Sequence, residues 1–136
     1  MNAEKYAGFG FTAKRGLDSY EIYLNNKLIL KQTVNQPLNL RMLQLGMAKE
    51  TDQLRITYTH CQIKGAGTDR SIALKDEKGN TLKKWVFANT TGSDLKMTIV
   101  VKELLQLEKK NAKHELSLHY SARELPKGET LGFLRL

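Results

Sequence analysis

One cysteine, two prolines and one tryptophan stand among 136 residues, and each scarcity excludes something. With Cys61 alone, no intramolecular disulfide forms and no CxxC pair can grip a metal. A disulfide-stapled miniprotein is ruled out. No apolar run approaches the roughly 20 residues of a membrane-spanning helix. GxSxG is absent, and so is the usual context of the nucleophilic serine. No P-loop is present, no GxGxxG opens a helix after a strand, and no HxxxH spacing occurs. The glycine-rich spots, Gly8-Phe9-Gly10 and Gly65-Ala66-Gly67-Thr68, match none of these patterns. The first six residues, Met1 to Tyr6, contain no apolar signal-peptide core. A periplasmic or secreted location would require a leader already removed; otherwise the chain is expected to be cytoplasmic.

Hydrophobic residues make up 40% and charged residues 26%, proportions of an ordinary soluble domain rather than a disordered, collagenous or coiled-coil chain. The length fits one domain with its own core. The net charge is +8, from 22 basic and 14 acidic residues. It is dispersed: residues 1–60 carry 8 basic and 5 acidic side chains, and residues 61–136 carry 14 and 9. Sixteen of the basic residues are lysine and six arginine. Phosphate and base recognition favour the planar arginine fork, whereas scattered lysines serve solubility and guard strand edges. Nucleic acid is therefore an alternative partner and not the favoured one.

Alternation dominates what is there. Tyr20, Ile22 and Leu24 are separated by Glu21 and Tyr23, the period of a half-buried strand. Asn25-Asn26 supplies a turn and Leu28–Leu30 the return strand. Leu38 and Leu40 follow Pro37. Leu54, Ile56 and Tyr58 alternate with Arg55, Thr57 and Thr59. Ile72 and Leu74 lead through the polar turn Lys75–Asn80 into Leu82–Phe87, a second hairpin. Leu95, Met97, Ile99 and Val101 alternate again, as do Leu116, Leu118 and Tyr120. Leu131 to Leu136 closes the chain, either pairing within the fold or offering its edge to another chain. Met42–Leu45 and Leu104–Leu107 break the alternation. Their adjacent and three-apart leucines predict short helical turns, with Gly46 capping the first.

Residues 41–60 align without gaps on residues 103–122, and Leu43, Gln44, Leu45, Leu54 and Tyr58 meet Leu105, Gln106, Leu107, Leu116 and Tyr120. The pattern predicts one all-β domain over residues 1–136. It is an antiparallel β-sandwich, jelly-roll or Greek-key-like, of about nine short strands, with one or two helical turns. Pseudo-repeats are expected over residues 19–60 and 70–122.

Candidate chemistry is sparse. His60 and Cys61 are adjacent and point to opposite faces of a strand; His114 and His119, five apart, do the same. Only His60, His119 and Cys61 could converge as ligands, if the two aligned segments are neighbours. Strand-edge histidines and a buried, inert Cys61 are the expected outcome. No catalytic residue, metal or cofactor is predicted. Aromatics beside lysines point instead to binding, because such pairs stack on sugars or bases. Tyr23, Lys83, Trp85, Gly65, Gly67 and Arg70 are the candidate ligand contacts. Tyr6, Phe9 and Phe11 suit an arm laid on the sheet or on a partner. Asn89-Thr90-Thr91 matches the glycosylation triplet. The expected function is a non-catalytic binding module for a glycan, a protein or a cell-surface component. A polyanion binder and a structural assembly protein, including a homo-oligomer joined by edge strands, are the alternatives.

Overall fold

The computed structural model describes residues 17–61, 67–89 and 96–135. Its strands are β1 (Ser19–Leu24), β2 (Lys27–Thr33), β3 (Met42–Gln44), β4 (Gln53–Thr59), β5 (Ser71–Lys75), β6 (Thr81–Val86), β7 (Met97–Val100), β8 (Ser117–Ala122) and β9 (Leu125–Arg135). A 3-10 turn covers Leu38–Leu40, and one α-helix, α1, covers Val101–Lys110. Two sheets form, one ordered β3-β9-β8-β5-β6 and the other β2-β1-β4-β7. The all-β, sandwich-like expectation is borne out. Ladders are antiparallel except β3–β9, which is parallel from Met42↔Phe133 to Gln44↔Arg135.

Alternation builds the core. Tyr20, Ile22, Leu54, Ile56, Tyr58, Met97 and Ile99 point inward from one sheet. Ile72, Leu74, Leu118, Tyr120 and Leu131 meet them from the other. Each such side chain contributes about 1.5–3 kcal/mol on burial. The edges carry deterrents to further pairing. Edge strands β3 and β7 are only three and four residues long. Edge strands β2 and β6 are longer and carry Lys27 and Lys31, and Lys83 and Lys84.

Strand order repeats between the sheets. The run β2-β1-β4 in one has the same hairpin-plus-neighbour order as β6-β5-β8 in the other. After each hairpin the chain crosses to the opposite sheet, as β3 and as β7, then returns. Strand β9 has no counterpart among the described residues. It pairs with β8 and β3, so the C-terminal strand is satisfied within the fold.

Three local expectations are overturned. Met42–Gln44 is a strand, not a helical turn: Leu43 and Leu45 are both buried, in register beside β9. Gly132 makes that approach workable, since a Cβ there would lie 2.9 Å from Leu43 Cγ. Leu38 and Leu40 form no strand; both are exposed in the 3-10 turn. His114 lies in the turn before β8 rather than on the strand with His119. The second helical expectation holds, and α1 begins earlier, at Val101.

Candidate functional site

At one end of the sandwich, Ser19 pairs with Thr59 and Ser71 with Ser121. The segments entering and leaving these strands gather a polar and aromatic cluster. Tyr20, Tyr58 and Tyr120 form a row, with Tyr58 and Tyr120 stacked from opposite sheets. His60 packs edge-on against Tyr58, and its Nε2 lies 2.8 Å from Tyr120 Oη. The Asp18 carboxylate accepts the Tyr58 hydroxyl at 2.8 Å and the Cys61 N–H at 2.8 Å, and it lies 3.9 Å from His60 Nδ1.

Burial alone would raise the Asp18 carboxyl, but the bonds from Cys61 and Tyr58 outweigh it and hold it below its ordinary value. Burial pushes the hydroxyls of Tyr20 and Tyr120 up to about 12, and Tyr58 further in the same direction. All three hydroxyls make hydrogen bonds within the fold: Tyr20 to the Leu131 carbonyl, Tyr58 to Asp18 and Tyr120 with His60. Gly67, at φ +85°, closes over the cluster: a Cβ there would meet His60 Nε2 at 3.0 Å.

His60 thus meets a carboxylate and a tyrosine, a convergence that sequence spacing could not show. His119 stays apart from it. Its ring bonds Ser117 Oγ and Thr130 Oγ1 on the other face of β8. The expected inert, buried thiol is corrected too, since Cys61 is only half-buried.

A second group lies where α1 leaves edge strand β7. Lys83 and Trp85 sit on one face of β6, and both reach Glu103 of α1. The Trp85 indole N–H donates to Glu103 Oε1 at 3.2 Å, and Lys83 Nζ lies 3.5 Å from Glu103 Oε2. Trp85 is half-buried against the core, so its ring serves as a clasp between sheet edge and helix. The opposite opening, between β2 and β3, is closed by Arg41. Its guanidinium is buried and donates to Glu129 Oε2 and to the carbonyls of Thr130, Val34 and Gln36.

The outer face of α1 is chemically different. Lys102, Gln106, Lys109 and Lys110 are exposed at helical spacing. Two shallow grooves flank this face. One of about 380 Å³ is lined by Gln106, Lys109 and Lys110. The other, of about 310 Å³, is lined by Glu50, Leu105, Gln106, Glu108 and Lys109. Among the described residues, no carboxylate comes within ion-pair distance of Lys102, Lys109 or Lys110. Lys31 and Lys83 differ here, pairing with Glu21 and Glu103, whereas Lys27 and Lys84 on the same strands have no carboxylate at ion-pair distance among the described residues.

Among the described residues, one set of side chains has metal-ligating composition and proximity: Asp76, Glu77 and His114. Its carboxylates are already acceptors. Asp76 takes N–H bonds from Lys78 and Asn80, and Glu77 takes His114 Nδ1 and the Glu115 N–H. The group reads as a clamp between the β5–β6 turn and the entry to β8.

The residues picked from sequence do not assemble into one site. Lys83 and Trp85 are neighbours. Tyr23 lies on β1 in the other sheet, half-buried, its hydroxyl 3.4 Å from Glu21 Oε1. Gly67 covers His60. Arg70 is buried at the start of β5 and donates to the Ala88 carbonyl. Gly65, the N-terminal aromatics and Thr90-Thr91 of the glycosylation triplet lie outside the described residues. The reading missed Asp18, Arg41, Glu103 and the α1 lysines. Only the last had a sequence signal, three cations and a glutamine around an amphipathic helix.

No protein-family model matches the chain, and no curated protein or solved structure matches it. No helix among the described residues is long and apolar enough to cross a membrane.

Proposed function

We propose that the protein is a non-catalytic β-sandwich interaction module that docks another macromolecule. One contrast carries this reading. The side chains with chemical capability (His60, Asp18, the core tyrosines, Glu103 and Arg41) are committed to joining the sheets, the helix and the crossovers. The lysines of α1 are left without carboxylate partners. Trp85 is held by Glu103, which argues against an open sugar-stacking platform and shifts the expected ligand from glycan towards protein. The repeated strand order supports an internal duplication, which suits a scaffold selected for a surface rather than for one pocket.

The same lysines favour a second reading, a polyanion binder. It predicts affinity that falls steeply with salt, because counterion release dominates such contacts.

A thermal-shift screen separates these. The panel holds oligosaccharides, heparin, short DNA and an acidic peptide, each at low and physiological salt. A ligand that binds only the folded state raises the melting temperature. A salt-tolerant shift with one macromolecular ligand supports the module. Shifts with heparin and DNA alone, lost at physiological salt, transfer the assignment to the polyanion reading. A silent panel defeats both.

A further inference from the structure

We propose that the outer face of α1 is the docking site, and that its occupant is an acidic, amphipathic segment of a partner protein. This rests on the interaction-module reading above.

Charge complementarity is the first argument. Lys102, Lys109 and Lys110 project from one exposed helix face with Gln106 between them. No carboxylate among the described residues lies within ion-pair distance of them, and the two acidic side chains nearby, Glu50 and Glu108, line only the groove on the Leu105 side. A cationic stripe left open on a protein surface steers and orients an anionic partner.

The grooves supply the second. They flank this stripe and share Gln106 and Lys109. Leu105 and the aliphatic stems of the lysines give the walls apolar surface, over which long cationic side chains keep their charged ends in water. An occupant with apolar side chains in the grooves and carboxylates over the ammonium groups satisfies both features. A nucleic-acid strand satisfies only the charge. It would call for arginine forks or stacking aromatics, and among the described residues this face has neither.

The helix is also a firm platform. Val101 and Leu104 are buried in the core, and Glu103 is tied to Trp85 and Lys83. Docking on such an element requires little reordering of the protein.

The test uses the full chain, isotope-labelled, and a synthetic peptide of alternating Glu and Leu. A peptide of alternating Gln and Leu is the uncharged control. Amide shift changes should concentrate on residues 102–110, with the control peptide inert. The double variant Lys109→Glu with Lys110→Glu should weaken binding roughly tenfold or more, as reversal of two close charges does. The charge-matched variant Lys27→Glu with Lys31→Glu, on β2, should bind within about twofold of the parent, because its charges lie on another edge.

Equal weakening by both variants would reduce the effect to net charge and overturn the proposal. So would shift changes on another face, or tighter capture of DNA by the same helix. If the peptide fails to bind while another macromolecule in the thermal screen succeeds, the α1 assignment falls and the module stands. If nothing binds, both fall.

Discussion

Tyr58 and Tyr120 stack across the two sheets, with ring centroids 4.2 Å apart and planes 17° from parallel. They are also aligned positions in the internal match between residues 41–60 and 103–122. One tyrosine closes the same end of each sheet, and each hydroxyl finds its own partner: Asp18 for Tyr58, His60 for Tyr120. Tyr120→Phe keeps the stack and removes the bond to His60. It should cost about 1–2 kcal/mol, since His60 then loses a buried partner. Tyr58→Ala removes the ring and should cost about 3–5 kcal/mol. Urea denaturation reads both, and a Tyr120→Phe protein as stable as the parent would show that the His60 bond contributes nothing.

Much of the architecture was legible because inward and outward residues alternate along nearly every strand. The clearest failure is instructive. Leu-Gln-Leu occurs at residues 43–45 and again at 105–107, and the aligned segments fold differently. The first lies in and just after a strand, with Leu43 and Leu45 both buried beside β9. The second is helical, with Leu105 and Leu107 half-buried and Leu104 in the core. Identical local sequence takes the form that its surroundings reward. The end cluster was illegible for a different reason. Asp18, His60, Gly67 and Tyr120 come from four separate stretches, and only the folded topology brings them together. Trp85 was read as a face beside Lys83, which is where it lies. Its clasp on Glu103 needed the helix position as well.

Acid should test the Asp18 network. A carboxyl held below its unfolded value of 3.8 adds stability above that value and loses it as pH falls through the folded one. Asp52, Asp76, Glu77 and Glu124 are lowered as well, so the parent alone cannot isolate Asp18. The comparison with Asp18→Asn does. The variant should be less stable than the parent near neutrality, and the gap should narrow below about pH 4. Melting temperatures across this range give the answer. A gap that stays constant from neutral to acid would mean that the charge of Asp18 is not linked to folding.

The clasp between β6 and α1 has a built-in reporter, because Trp85 is the only tryptophan. Glu103→Ala removes the indole's acceptor and the counter-ion of Lys83 together. Trp85 emission should move to longer wavelength as the ring gains water. Stability should fall by about 0.5–1.5 kcal/mol, the ordinary net worth of a hydrogen bond, with little from the exposed ion pair. Unchanged emission would place the indole in the same environment without Glu103 and remove the clasp from the account.

Arg41 presents the sharpest case of a charge used as structure. It is 2% exposed, and its guanidinium joins the crossover after β2 to strand β9. The same group lies over the Tyr20 ring, whose hydroxyl donates to the Leu131 carbonyl. Four acceptors in two directions suit a planar fork and not an ammonium point charge. Arg41→Lys keeps the charge but cannot span them. Arg41→Met fills space yet leaves Glu129 and three carbonyls without their donor. Loss of one member of a buried charged network costs about 3–5 kcal/mol, so Arg41→Met should be strongly destabilised or fail to fold. Arg41→Lys should fall between it and the parent. Pairing Arg41→Met with Glu129→Gln separates the components, because removing the stranded carboxylate should recover part of the loss. No recovery in urea denaturation would mean that the carbonyl contacts, rather than the ion pair, hold the crossover.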